Sequence, residues 1–339
     1  MNRLIDTSSD VRIGIFQEPI DEVNHRDFEL TTPFGRRVGA WRRHFAFNQF
    51  EFLGALGEDL VFGCGIANVK YAGTAFVYAY DPRTRRFDEL SLRTPLALGF
   101  INDQLPERGK ATVRIGRKRI QMSGSASPPQ RHLRVDLPGK IDIDATFSET
   151  SPAIEPMRIC TPVGAGGWVY ARKSAGHRVE GTLSVRGRTL DLGALGVLGH
   201  HDWTAGYMRR ETFWNWGCLA GRLADGRVVG MNLSCGVNET SYTENCFWLD
   251  GKLHKIDSVH FDYDRRDIMK PWRLHSYDGR ADLTFQPEGR HAENLNAFVV
   301  ASNFNQLIGR YDGQLHTEGG ERIAIQHLLG YAERHFARW

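Results

Sequence analysis

The sequence predicts an all-β protein made of two antiparallel barrel or sandwich units in tandem, related by a degenerate duplication. Three observations lead there. Thirty-six glycines punctuate short strand-like runs, no sustained helical period occurs, and the two halves of the chain echo each other.

The runs ATVRIGRKRIQMSG (111–124), GGWVYARKS (166–174), GTLSVRGRTLDLG (181–193) and GRVVGMNLSCG (226–236) alternate or are rich in β-branched and aromatic residues. Asp-Gly pairs at 225–226, 250–251, 278–279 and 312–313 are turn signals that join such runs. Residues 43–57 fit a helix or a strand by pattern, but Phe45, Phe47, Phe50 and Phe52 favour strand.

The echo has two parts. Gly181-Thr-Leu, Gly187, Leu190, Leu192 and Gly199-x-x-Asp202 are matched in order by Gly313-Gln-Leu, Gly319, Ile323, Ile325 and Gly330-x-x-Glu333. Upstream, Phe50-x-Phe52 leads to Val61-Phe62-Gly63, as Trp214-x-Trp216 leads to Val228-Val229-Gly230. This places an N-terminal unit at 1–205, its first ~20 residues an extension, and a C-terminal unit at 206–339. A chain of 339 residues also exceeds one ordinary core.

Composition excludes several classes. Hydrophobic residues are 41% and charged residues 24%, as in globular proteins. Forty-three basic against 40 acidic residues make no nucleic-acid surface. No run of eighteen apolar residues occurs and the N-terminus lacks an apolar signal region, so no integral membrane segment and a cytoplasmic location are expected. Cys64, Cys160, Cys218, Cys235 and Cys246 form no paired framework and read as reduced thiols. There is no CxxC or HExxH, so no metal site is expected. There is no phosphate loop, Rossmann context or Gly-x-Ser-x-Gly, so no cofactor and no serine triad are expected either.

The chemistry concentrates at Gly199–Trp216, GHHDWTAGYMRRETFWNW, on the junction between the units. Clefts between two rigid walls are common ligand sites. An acid beside an indole is a setting that raises a carboxyl pKa. In a regular strand His200 shares the side of Asp202, while His201 and Trp203 point the other way. Trp214 and Trp216 share a face with Cys218 and Ala220. Asn215 and Asn232 would lie near each other if their strands pair, with glycines leaving room beside them. The polar stretch Asn238–Asn245, with Tyr242, Glu244 and Asn245, reads as a loop over a barrel mouth or as polar lining. Plainer readings also fit. Trp214 and Trp216 would pack a core, Asn215 and Asn232 would bond inside a bend or across the domain interface, and Asp202 would be a turn or interface residue paired with Arg209 or Arg210. Glu333 with Arg334 reads as a surface or closing salt bridge.

Leu198-Gly199-x-x-Asp202-Trp203-Thr204-x-Gly206, Thr212-x-Trp214-Asn215-Trp216, Gly230-x-Asn232-Leu233 and Glu244-Asn245 resemble the bacterial domain of unknown function 2804. So do Asp250-Gly251, Ser276-x-Asp278-Gly279 and the terminal Gly330-x-x-Glu333. The similarity runs over roughly 20–339. The duplicated units also resemble, more distantly, the tandem lipocalin-like proteins, which include carotenoid hydratase, tocopherol cyclase and natural-product cyclases. Those often carry Asp-His-x-Trp-Gly at the junction. Here His201 and Trp203 keep His-x-Trp, His200 stands for the Asp, Thr204 for the Gly, and Asp202 fills the variable place.

This resemblance implies two tandem lipocalin-like units and a cofactor-independent hydratase, isomerase or cyclase acting on an apolar small molecule. Asp202 would be the acid, tuned by His200 or His201. Trp203, Trp214 and Trp216 would form the wall, and Asn215, Asn232, Tyr242, Glu244 and Asn245 would contact substrate. The alternatives are a non-catalytic carrier of a lipid-like molecule, or a carbohydrate-active enzyme pairing Asp202 with Glu239 or Glu244.

Overall fold

A computed structural model describes residues 1–150, 152–237, 240–297 and 300–339. The protein is almost entirely β, as two curled antiparallel sheets, one for each tandem barrel unit. Among the described residues the first sheet has fourteen strands and the second nine. Burial follows the pleat: in Ile141–Ser148 every second side chain is buried.

The two sheets repeat one topology. In the first, Arg86–Pro95, Ala72–Asp81, Leu60–Asn68 and Phe47–Gly57 run inward from an edge. Phe47–Gly57 then pairs with Leu198–Tyr207, which pairs with Gly167–Val185 and, through it, Ile141–Ser148. In the second, Lys252–Lys255, Cys246–Leu249, Val228–Cys235 and Glu211–Arg222 do the same. Arg322–Arg338, Val300–His316 and Ala281–Ala297 follow in the matching places. Leu198–Tyr207 belongs to the first sheet and Glu211–Arg222 to the second.

Even the irregularities repeat. Gly181 has φ +118°, and a Cβ there would sit 2.0 Å from the Asp144 carbonyl oxygen. Gly313 has φ +135°, with the Asp282 carbonyl oxygen at 2.3 Å. Only glycine relieves such contact in that backbone conformation. The Asp-Gly pair at 312–313 is therefore no turn. It lies within the strand Val300–His316, at a shift in register. The pairs at 225–226, 250–251 and 278–279 do join consecutive strands.

The 43–57 segment is divided. Ala40–Ala46 forms the helix α1, and Phe47–Gly57 is strand. Expectation of strand from Phe45 fails because α1 buries no residue, so no sheet face was there to favour its aromatics.

Each unit has its own apolar core, with Leu53, Phe62, Val135 and Phe147 in the first and Met231, Phe247, Trp272 and Phe285 in the second. A third cluster takes residues from both. Phe52, Phe76 and Tyr78 meet Trp216, Cys218, Phe304 and Tyr331 along the seam. The Tyr78 hydroxyl donates to Gln306 Oε1 at 2.5 Å, and the Tyr331 hydroxyl to the Phe62 carbonyl at 3.3 Å. Gly230 allows a close approach, since a Cβ there would lie 2.7 Å from the Ala175 backbone.

Candidate active site at the seam

A cleft of about 190 Å³ opens on the seam, walled by Phe50, Phe52, Phe76, Trp214, Trp216 and Phe304. The walls are apolar and aromatic, as small-molecule sites commonly are. Polar groups reach it as two acidic patches, and the Arg93–Glu293 ion pair, 2.7 Å, also lines it.

The first patch is Asp202, Lys173, Glu244 and Thr204. Lys173 lies opposite Asp202 in the neighbouring strand. Its Nζ donates to Asp202 Oδ2 at 2.5 Å and lies 3.4 Å from Glu244 Oε1. The Thr204 hydroxyl donates to Asp202 Oδ1 at 2.9 Å. Burial works against the Lys173 ammonium, but the two carboxylates hold its pKa above the ordinary lysine value. Burial likewise pushes the Asp202 carboxyl upward, opposed by that ammonium.

The second patch is Glu333, Gln306 and His335. Trp214 Nε1 donates to Glu333 Oε1 at 2.8 Å, and Gln306 Nε2 donates to Oε2 at 3.3 Å. Both donors are neutral. Burial therefore dominates, and the Glu333 pKa is pushed up to about 7 against the pull of those two bonds. Burial holds the neighbouring His335 imidazole down at about 3, so it stays neutral at pH 7.

Other expected residues are distributed by strand alternation. His200 faces the seam with Asp202, its ring against Phe52 and Tyr331 at 5.3 and 5.2 Å. Its Nε2 is buried with no hydrogen-bond partner among the described residues, and burial lowers its pKa to about 3. His201 points the other way, 3.0 Å from Glu51 Oε1, into a buried network with Arg131, Arg172, Glu107 and Glu149. Trp203 shares that side and packs with Tyr170 under the N-terminal segment around Leu4 and Ile20.

Asn232 accepts from Trp216 Nε1 at 2.8 Å and donates toward Glu244, so it braces the first patch. Asn215 is not beside it. The two strands pair, but Asn232 lies opposite Cys218 and Asn215 opposite Cys235. That odd offset puts the two amides on opposite faces, and Asn215 reaches Tyr263 and the Glu333 carbonyl within the second unit. Asn245 ties Ser234 to Asp257. Tyr242 lines a small side pocket with Thr204 and Glu244. Glu239 and Asn238 lie outside the described residues.

Lys173 and Gln306 carried no motif in the sequence. Both sit mid-strand, and only cross-strand register brings them to the acids. Glu333 is no surface salt bridge with Arg334. It is buried and bonded to Trp214. Asp202 pairs with Lys173, not with Arg209 or Arg210. Among the described residues no group of three or more His, Cys, Asp or Glu side chains could hold a metal ion.

The model of the family DUF2804, a domain of unknown function, matches residues 4–339. The chain belongs to the DUF2804 family. No curated protein matches it. Several solved structures share the fold at low identity. A putative AttH from Nitrosomonas europaea is 12% identical, with a TM-score of 0.51, over 85% of this chain and 92% of its own. CghA, crystallised with Sch210972, is 11% identical with a TM-score of 0.53, over 100% and 97%. Kievitone hydratase from Nectria haematococca is 10% identical with a TM-score of 0.51, over 86% and 88%. This DUF2804 protein thus shares its fold with these proteins.

Proposed function

We propose that this protein is a cofactor-independent enzyme of the hydratase, isomerase or cyclase type, acting on an apolar small molecule in the seam cleft. One observation carries the reading. The cleft holds carboxyl groups in opposite electrical settings, Asp202 and Glu244 against one ammonium and Glu333 against the neutral donors Trp214 and Gln306. Such a split assigns acid and base roles. Glu333, with its pKa near 7, is the proton donor to an alkene or carbonyl, and Asp202 with Lys173 is the fixed counter-dipole. Trp214, Trp216 and Phe52 face the developing cation. Asn232 and Glu244 hold the Lys173 patch in place. The hydratase and the Sch210972-bound protein among the fold neighbours support a small-molecule reaction of this kind.

A carbohydrate-active role is less well supported. Asp202 and Glu244 share one Lys173 ammonium, which leaves neither free to flank a glycosidic bond.

The test starts with native mass spectrometry of fresh protein to identify a retained molecule. That molecule is then incubated with enzyme in heavy water. Deuterium incorporation or hydration by the wild type, lost in Glu333→Gln and Asp202→Asn, supports the proposal. Release of an unchanged molecule by folded wild type would make the protein a carrier.

A further inference from the structure

One rim of the cleft gathers exposed apolar side chains and basic charge. It comprises α1 with Gly39, the turn 69–72, the turn 95–98 and the connection 208–210. Val69, Ala72 and Met208 belong to both this rim and the cleft wall.

Large apolar side chains stand out from it into solvent. Trp41 is 80% exposed, Leu96 60% and Leu98 62%. They form one continuous surface. Trp41 stacks on Phe45, Phe45 stacks on Tyr71 with centroids 4.4 Å apart, and the Leu96 amide donates to the Tyr71 carbonyl. Leu96 and Ala97 hold φ of +52° and +51°, a left-handed backbone that ordinary residues adopt at a cost. The turn keeps this form while leaving both leucines outside any core.

The charge is one-sided as well. These segments carry Arg42, Arg43, Lys70, Arg209 and Arg210 and no acidic residue. The Arg210 guanidinium lies 5.9 Å from the centre of the Tyr71 ring. Burial lowers the His44 pKa, and Lys70 and Arg26 nearby lower it further. An exposed Trp on a short helix and exposed leucines on the adjoining turn, set among arginines, are the composition of a surface that sits in a lipid interface.

We propose that this rim docks on an anionic bilayer. Trp41, Leu96 and Leu98 enter the boundary between headgroups and acyl chains, and the arginines meet lipid phosphates. The docked rim opens the cleft toward the bilayer, so an apolar ligand passes between them without crossing water. Only this last step rests on the proposed function; docking stands without it.

Full-length protein is sedimented with vesicles of phosphatidylcholine alone and of phosphatidylcholine with phosphatidylglycerol. Binding to the anionic vesicles, falling as salt rises, is expected. Arg42→Glu with Arg209→Glu should abolish the preference for anionic lipid. Trp41→Ala with Leu96→Ser should weaken binding by about tenfold or more. Near-native melting temperatures would show these exposed variants folded. No sedimentation with either vesicle, or binding unchanged in the Trp41/Leu96 variant, overturns the proposal. Ligand retention in detergent, read in the same variants, should stay intact; its loss in wild type would count against the proposed function alone.

Discussion

Asp202 and Glu333 occupy the same place in the two units: Asp202 lies opposite Phe52 in its sheet, and Glu333 lies opposite Trp216 in the other. Their second neighbours correspond too, Lys173 opposite Asp202 and Gln306 opposite Glu333. The rings of Phe52 and Trp216 then meet edge to face across the seam at 6.4 Å. One exchange, lysine against glutamine, separates the two acids electrically.

Glu333→Gln should change the pH dependence of stability. The folded pKa of Glu333, about 7, exceeds the ordinary 4.5 because burial penalises the carboxylate. Between those values the native state keeps a proton that the unfolded chain loses, so stability falls as pH rises through that window. The variant should be less sensitive there and gain up to roughly 3 kcal/mol above pH 7. Urea unfolding of both proteins from pH 4 to 8 measures the difference. Parallel curves would place the ionisation elsewhere.

Lys173→Met should be far more damaging. It leaves Asp202 and Glu244 buried around no cation, at about 3–5 kcal/mol. Adding Asp202→Asn should restore much of that loss, because a neutral amide needs no ammonium. Chemical denaturation of the single and double variants gives the coupling. Equal stability of the two would show that the pair does not interact.

His200→Leu separates a catalytic histidine from a packing one. The imidazole is buried, its Nε2 has no partner among the described residues, and its pKa lies near 3 against an ordinary 6.5. A folded pKa lowered in this way loses stability as pH falls below about 6.5. Leucine should therefore make the protein more resistant to acid and leave turnover within a fewfold of wild type. A greater than hundredfold loss of turnover in a stable variant would make His200 a participant.

Gly230→Val tests the seam itself. Its Cβ would meet the Ala175 backbone, which cannot yield as a flexible side chain would. Overpacking should cost about 1–3 kcal/mol. Ligand retention should drop with it, because the cleft walls come from both sheets. Calorimetry with native mass spectrometry reads both effects, and an unchanged melting temperature would contradict this packing.

Much of this was legible in the sequence, and the reason is periodicity. The echo of Gly199-x-x-Asp202 in Gly330-x-x-Glu333 survives because Gly199 and Gly330 both have no room for a side chain, Phe147 lying against one and Tyr311 against the other. Trp214-x-Trp216 and Phe50-x-Phe52 keep aromatic alternation because both face the seam. Cross-strand facts were hidden. Register decides that Asn215 turns away from Asn232, and nothing local encodes register when both strands alternate. Lys173 and Gln306 were invisible for the same reason. The burial of Glu333 was missed because Arg334 beside it suggested a surface pair, although adjacent strand residues face opposite ways.

The lysine–glutamine exchange gives the cleft a direction. A molecule in the seam meets an ion pair from one sheet and an uncharged amide-and-indole cradle from the other. Its two head-to-tail orientations, equivalent in a perfectly duplicated ancestor, differ here in energy.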